Sequence, residues 1–507
     1  MEATTARVSD VAGGQAGGLH RRALGVPAIV FFIVAASAPL TVVAGGVAST
    51  YLITGNAGVP LLFLVLGAIL ALFVSGYAAM SHHITSAGAF YAYVSRGIGK
   101  VAGVGTSFIA LIAYNSMQIG IGGLFGAVFG AFIADKTGLN IEWWGWLLIA
   151  IGVIGVLGWL QVDLNAKVLA LFLSAEIVVL VIFDVVVAAD PGPQGIVLDG
   201  FEPSIAFGAA LGAALTFTMA AFVGFESAAI YGEECKDPRR TVARATYIAL
   251  GITAVFYAIS AWLLGIAAGP DTATNPGALV DAGFVGADPK APDPTSILFV
   301  SVGERISATF ADIATLLFCT SLFAAMLSFH NAVARYAFAL GREGVLPAAF
   351  GRVQRHTGAP FVGSLFQTVL AASVVAIFAL SDADPVLELF TWLTNLGALG
   401  VILLLALTSF AVVGYFNRNP HSETAWTSRI SPALAGLLLT AVLVIALSNF
   451  NVLITGVQDA PTDDRTIILP AILFGGGVIG MLVGAVLRSR RPEVYARIGE
   501  GGEEARA

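Results

Sequence analysis

Residues 37–46, SAPLTVVAGG, lie inside the first long apolar run of the chain. A helix inside a bilayer must pair its backbone N–H groups, and Pro39 has none to offer and clashes with the preceding turn. Gly45 and Gly46 weaken the helix again less than two turns later. The sequence therefore predicts a first membrane span that is broken near its middle.

The composition is that of a membrane protein. The 507 residues are 57% hydrophobic and only 11% charged, with a mean hydropathy of +0.88, whereas soluble domains carry roughly 25% charged residues. Residues 1–25 are polar and lack a small-residue cleavage site after a short apolar core, which predicts an uncleaved tail. The two cysteines, Cys235 and Cys319, have neither metal-ligand spacing nor the context for a disulfide.

Apolar runs of about 20 residues, the length that crosses a bilayer, recur twelve times and predict an all-α membrane protein with twelve transmembrane helices. The predicted spans are 26–52, 59–80, 101–133, 142–161, 164–189, 207–232, 243–268, 307–333, 361–381, 385–416, 431–449 and 467–487.

The distribution of positive charge predicts the orientation. With the N-terminus inside, the outer loops hold only four of the 25 Lys and Arg residues: Lys136, Lys290, Arg305 and Arg465. The positive-inside rule therefore places both tails, 1–25 and 488–507, in the cytoplasm. The longest outer loop, 269–306, ends in SILFVSVGERI (296–306), which is predicted to form a short helix over the entrance.

A second break is expected if the chain is an inverted-repeat transporter, because such a fold repeats its first five spans. The sixth span reads ALTFTMAAFVGFESAAIYGEECKDPRR (214–240), with Gly224 at its middle and the acid Glu226 two residues later. A Pro/Gly break in span one and a Gly-plus-acid site in span six occur at the offset that an inverted repeat predicts.

Three blocks of the sequence resemble the amino acid permeases of the amino acid–polyamine–organocation superfamily. GFESAAIYGEECKDPRRTVARA (224–245) resembles the signature of span six, SAGAFYAYVSRGIGKVAG (86–103) the segment between spans two and three, and FHNAVARYAFALGREGVLP (329–347) the end of span eight. The resemblance implies a leucine-transporter-like fold, with helices 1 and 6 broken. Its 5+5 inverted repeat would comprise spans 1–5 (26–189) and spans 6–10 (207–416), followed by two C-terminal helices (431–487).

Broken helices suit an amino acid zwitterion. The half-helix after a break presents N–H groups to a carboxylate, and the half-helix before it presents carbonyls to an ammonium group. By position in the family pattern, the residues that line the two gaps are Ser37, Ala38, Leu40 and Thr41 in span one and Ala221, Phe222, Val223 and Gly224 in span six. Phe222 or Phe225 is predicted to close over the substrate, or alternatively to pack in the core. Family members often have an aromatic gate where this chain has Ala220.

Five further residues are candidate contacts. Tyr114 and Gln118 are one turn apart in span three and so share a face. The resemblance places Phe329 and His330 of span eight, and Asn395 of span ten, near the ligand, with Phe329 against the substrate side chain. For Gln118 and Asn395 the alternative is a hydrogen bond between helices, and for His330 a structural role.

Two acids, Glu176 in span five and Glu226 in the span-six break, lie deep in the membrane. An isolated ionised carboxylate there is costly, so each is predicted to be protonated part of the time or paired with a cation. Several proton-coupled relatives have a lysine at the position of Glu176. Glu176 therefore either carries a coupling proton or pairs with a cationic substrate. Asp184 and Asp312 lie nearer the outer ends of their spans and are predicted to be solvated.

Charged groups at the cytoplasmic ends of spans six and eight predict a gate of ion pairs, with solvated charge as the alternative. The groups are Glu233, Glu234, Lys236, Arg239 and Arg240 after span six, and Arg335 and Arg342 after span eight.

The sequence predicts a secondary active transporter that takes up amino acids across the cytoplasmic membrane by alternating access, with protons as the expected coupling ion. Two alternatives stay open: a transporter or exchanger of polyamines or cationic amino acids, and a receptor that senses amino acids without flux. The spans are too apolar for a channel pore, the six histidines form no catalytic cluster, and no phosphate-binding Gly-rich loop is present. No enzyme activity, cofactor, metal or nucleic-acid partner is expected.

Overall fold

The computed structural model describes residues 25–84, 89–160, 166–226, 238–286, 289–354, 357–457 and 460–499, and these are almost entirely helical. In chain order the α-helices are α1 (Val26–Ala36), α2 (Ala48–Thr54), α3 (Val59–Ser81), α4 (Ala89–Gly97), α5 (Lys100–Thr137), α6 (Trp143–Leu160), α7 (Ala166–Ala189), α8 (Pro203–Ala206), α9 (Leu211–Ala220), α10 (Pro238–Ala268), α11 (Pro270–Ala273), α12 (Pro276–Asp281), α13 (Ser296–Arg305), α14 (Ala308–Glu343), α15 (Phe361–Leu380), α16 (Thr391–Arg418), α17 (Ser431–Ser448), α18 (Phe450–Thr455), α19 (Asp464–Arg490) and α20 (Pro492–Arg497). Wider π-helical turns occur at Thr41–Val47, Pro385–Phe390 and Trp426–Ile430, and a 3₁₀ turn at Asp199–Phe201.

The helices confirm an all-α membrane protein. Within the described ranges, ten helical segments are long and apolar enough to cross a membrane. Two shorter apolar segments, Thr41–Thr54 and Leu211–Ala220, coincide with predicted spans one and six. These are the two spans that the sequence predicts to be broken.

Several predicted boundaries were wrong. Helix α14 extends to Glu343, although its span was predicted to end at residue 333, so the two arginines expected in a connection, Arg335 and Arg342, lie on the helix. The reason is that residues 334–343, ARYAFALGRE, are rich in helix-favouring Ala, Leu and Arg, and several of them, such as Ala337 and Leu340, are buried by packing. The connection 81–100 contains helix α4, and the first residues of predicted span six, 207–210, precede the helix. The short helix predicted at 296–306 is present as α13.

The long helix α5 packs against three other long helices, α14, α16 and α19. Glycines bring α5 and α19 into backbone contact: a Cβ atom on Gly480 would lie 2.7 Å from the carbonyl oxygen of Val104. Small residues at such crossings are typical of helix pairs in membranes, where dispersion contacts replace the hydrophobic effect. These long continuous helices thus pack closely together beside the broken helices.

Candidate functional site

The first helix break lies at Ser37 and Ala38. Helix α1 ends at Ala36, and a new helical turn starts at Pro39. Proline is favourable at a helix start, because the N–H group that it lacks would have no partner there. Ala38 has a φ of +46°, a left-handed conformation that interrupts the right-handed helix between the two half-helices. Gly45 and Gly46 lie in the π-helical turn that follows, so the proline, rather than the glycines, marks the break.

The second break follows helix α9, which ends at Ala220. Residues 221–224 form turns, with the Phe222 N–H donating to the Met219 carbonyl at 3.0 Å. Gly224 has a φ of +111°, which residues with a side chain rarely adopt. The break therefore occurs where the sequence predicts it. The other half of span six, and the gate acids Glu233 and Glu234 with Lys236, lie outside the described residues.

The two breaks face one small cavity of about 50 Å³. Its lining residues are Ser37, Ala38, Thr41, Val42, Gly46, Val47, Phe63, Met117, Ile121, Phe217, Ala220, Ala221, Val223, Ala325, Phe329, Phe390 and Thr394. The described wall carries no charged side chain, and its polar atoms come from hydroxyl groups and the backbone. Since one water needs about 10–15 Å³ of such space, the cavity has room for only a few waters, and an amino acid requires its walls to separate.

Six predicted contact residues line this cavity: Ser37, Ala38, Thr41, Ala221, Val223 and Phe329. Leu40 is fully buried behind the first break, and Gly224 is not part of the wall. Phe222 packs against Phe63 at 5.8 Å between ring centroids, and Phe225 packs against Phe73 at 6.0 Å. In this arrangement neither phenylalanine covers the cavity.

Tyr114, Gln118 and Asn395 are buried but do not line the cavity. The amide of Gln118 is hydrogen-bonded to Gln367 of α15, which matches the alternative of a bond between helices. The Asn395 amide donates to the Thr391 carbonyl of its own helix at 2.7 Å. Their roles in binding stay predictions.

At two places in the wall, the residue that lines the cavity is the sequence neighbour of the predicted one. Met117 and Thr394, the neighbours of the predicted Gln118 and Asn395, line the cavity instead. One residue along a helix rotates the side chain by about 100°, so a correct span with a small phase error selects the wrong face. Ala325, one turn before Phe329, is a wall residue that helix periodicity alone indicates.

Glu176 of α7 links the first break to α14. Its Oε2 accepts from the Ser321 hydroxyl at 2.8 Å and makes a long contact of 3.5 Å with the Leu40 N–H group. Thr41 donates in turn to the Ser321 hydroxyl at 3.0 Å. The carboxyl is only 5% exposed. A chain of hydrogen bonds therefore connects a buried acid to the cavity wall at Thr41.

Glu226 lies at the second break, as Glu176 lies at the first. Its side chain accepts from the Tyr114 hydroxyl at 2.9 Å and from the Gly224 N–H group at 2.8 Å. Tyr114 lies on α5 and its ring is 6.1 Å from that of Phe329, a residue of the cavity wall. Each break is thus held to the central helices by one buried acid.

The prediction that Asp184 is solvated was wrong. Asp184 is 8% exposed, and its Oδ2 accepts from the Ser260 hydroxyl of α10 at 2.8 Å. The neighbouring helix covers a position that looked exposed from its distance along the span. Asp312, by contrast, is half-exposed and pairs with Lys136 at 2.8 Å. His330 bonds to Ser364 at 2.8 Å, which joins α14 to α15 and supports a structural role.

The fold and the paired breaks define a transporter of the leucine-transporter-like class. The structure resembles a mutant of the manganese transporter of Eremococcus coleocola, with a TM-score of 0.55, 16% identity, and coverage of 93% of this chain and 98% of that one. At that identity the likeness concerns the fold. In the described residues, no group of three or more His, Cys, Asp or Glu residues is placed to hold a metal.

Residues 24–477 match the family model described as amino acid permease, and the chain therefore belongs to the amino acid permease family. The branched-chain amino acid permease BcaP of Bacillus subtilis is 24% identical over 301 residues, 59% of this chain and 58% of that protein. The methylthioribose transporter of the same organism is 25% identical over 240 residues, 46% of this chain and 45% of that protein. The chain thus aligns with about half the length of these relatives. The family is one of multi-pass membrane transporters and not of enzymes.

Proposed function

We propose that this protein takes up amino acids with neutral, apolar side chains by alternating access, and that protons drive the uptake. The observation that carries the proposal is the cavity between the two helix breaks, whose described wall is apolar and uncharged. A charged substrate side chain would lose its hydration there without a partner, whereas an apolar side chain would not.

The backbone at the breaks supplies partners for the charged ends of the substrate. The half-helix that starts at Pro39 would present its positive dipole end to a carboxylate. The carbonyls at the end of α1 and of α9 suit an ammonium group. Phe329 and Val223 provide apolar surface for the side chain.

Glu176 is the proposed proton carrier. It lies outside the wall of the cavity, behind Thr41 and Ser321, so a substrate in the cavity cannot pair with it directly. Protonation would remove a charge next to the first break and change how Oε2 accepts from Ser321. This geometry supports proton coupling over a role as the counter-ion of a cationic substrate.

The relatives agree with this proposal in part. One is a permease of branched-chain amino acids, which supports apolar side chains, and the other is a transporter of methylthioribose. The alternatives are a transporter of polyamines or cationic amino acids, and a receptor without flux.

The proposal is tested with purified protein in sealed proteoliposomes. Labelled leucine should accumulate when the outside is acidic and without ATP, and excess neutral amino acids should compete while acidic amino acids, basic amino acids and polyamines should not. Glu176→Gln should still exchange leucine between the two sides, but lose accumulation driven by the pH gradient. Gly224→Trp should abolish binding, since the bulky side chain opposes the backbone conformation at the break.

Three results would contradict it. Preferred competition by polyamines would favour the cationic alternative, and saturable leucine binding without exchange would favour the receptor. Unchanged pH-driven accumulation in Glu176→Gln would exclude this acid as the carrier.

A further inference from the structure

A second, larger cavity opens on the side of the bundle. It has a volume of about 430 Å³ and lies between α5, α6, α7 and α14. This volume falls within the roughly 300–1,000 Å³ typical of small-molecule sites. It is distinct from the cavity between the breaks, although Ala38 lines both. We call it the lateral cavity.

The entrance of the lateral cavity faces the lipid. Ile149 and Val153 of α6 are 54% and 45% exposed, and Leu316 of α14 is 49% exposed. These side chains lie on helices that are long and apolar enough to span the membrane. A molecule dissolved in the bilayer can therefore reach the cavity without crossing water.

Among the described residues that line the lateral cavity, Glu176 is the only charged one, and the others are almost all apolar. Its Oε2 accepts from Ser321, yet a carboxylate has about four acceptor positions, so capacity for a further donor is left. In apolar surroundings a carboxylate gains strongly from a cationic donor. The cavity thus combines apolar walls with one negative group at its inner end.

We infer that the lateral cavity is a binding site for a membrane-dissolved amphiphile with one ammonium group, which pairs with Glu176 while its alkyl or aryl body fills the apolar part. Lipid tails are as apolar as the walls, so the body gains little by leaving the bilayer. Selection must therefore come from the charge. The inference does not rest on the proposed transport function, because it concerns binding alone.

Trp146 lines the lateral cavity and serves as the reporter. The protein is reconstituted in phosphatidylcholine nanodiscs and titrated with bromine-labelled dodecylamine or dodecanol, compared at equal concentration in the membrane. We expect the amine to quench tryptophan emission saturably and to bind about tenfold more tightly than the alcohol. The reason is that the ammonium group makes a charge-assisted hydrogen bond with the Glu176 carboxylate. Trp146→Phe should remove that saturable component.

Two variants separate the site from general membrane effects. Ala324→Phe places a ring inside the lateral cavity and should strongly weaken amine quenching, whereas Ile313→Phe adds the same ring at an exposed position of the same helix that does not line the cavity and should not. Glu176→Gln should reduce the affinity for the amine to within about twofold of the affinity for the alcohol. Equal quenching by amine and alcohol in the unmodified protein would overturn the inference and indicate a lipid tail as the occupant. Amine quenching that survives both Ala324→Phe and Glu176→Gln would overturn it as well.

Discussion

At the scale of single residues, the first break depends on the backbone of Ala38. Its φ of +46° is a conformation that costs a residue with a Cβ atom about 1–2 kcal/mol. Pro39 follows directly and disfavours a right-handed helical conformation at the residue before it. The strained backbone at Ala38 therefore helps to end the first half-helix and allows the next one to start at Pro39.

We predict that Ala38→Val destabilises the protein by about 2 kcal/mol or more, because a β-branched residue tolerates a left-handed backbone poorly. Ala38→Gly should stay within about 1 kcal/mol of the unmodified protein, since relief of strain offsets the lost methyl contact. Thermal unfolding in detergent measures both. Ala221→Val is the matched control, as Ala221 lines the same cavity with an ordinary helical φ of −66°. Equal losses for the two valine variants would mean that cavity packing, not backbone strain, decides the outcome.

At the scale of elements, each broken helix is attached to an unbroken one through a buried acid. Glu176 joins the first break to α14 through Ser321, and Glu226 joins the second break to α5 through Tyr114. Buried carboxyl groups are favourable only when their hydrogen bonds are made. A change of either acid therefore acts on the position of a half-helix.

We predict that Tyr114→Phe lowers the rate of amino acid uptake about tenfold, because Glu226 loses a hydrogen bond from a neutral donor to a charged or chargeable group. Tyr51→Phe is the control, since its hydroxyl donates to the Ala261 carbonyl at 2.8 Å and joins α2 to α10 away from the acid. Both variants should lose about 1 kcal/mol of stability. Uptake is measured in proteoliposomes and unfolding in detergent. A similar fall in uptake for both variants would show a general effect of stability.

At the scale of the whole molecule, long continuous helices surround two short interrupted ones. Helices α5 and α14 each provide a wall of the cavity and a partner for one acid. The cavity is smaller than an amino acid needs, so binding one requires the walls formed by the half-helices to separate from this support. The excess of Lys and Arg in the predicted inner segments is the basis for predicting how the bundle is oriented in the membrane.

We predict cytoplasmic termini from the excess of Lys and Arg in the inner segments. With Cys235 and Cys319 replaced by serine, Ala282→Cys in the outer loop should react with a membrane-impermeant thiol reagent on intact cells. Ser489→Cys at the end of α19 should react only after the cells are permeabilised. Both introduced cysteines would occupy exposed positions, so accessibility to the reagent is equal apart from the membrane. The reverse labelling pattern would contradict the prediction and place both termini outside the cell.

The sequence by itself determined the helical membrane fold, the two breaks and the family. Those features depend on hydrophobic length, on the missing N–H group of Pro39 and on the conformational freedom of Gly224, which are local properties of the chain. It also identified Glu176 and Glu226, because an acid in an apolar run stands out without any knowledge of its neighbours.

Only the tertiary structure decided which faces of the helices meet. It paired Gln118 with Gln367, brought Met117 and Thr394 to the cavity in place of their neighbours, and buried Asp184 against Ser260. It also formed the lateral cavity beside Glu176. A nearly all-apolar helix shows little amphipathic pattern, because lipid and protein core favour the same side chains. The rotation of each helix, and with it the set of residues in each cavity, is therefore determined by packing between helices distant in the sequence.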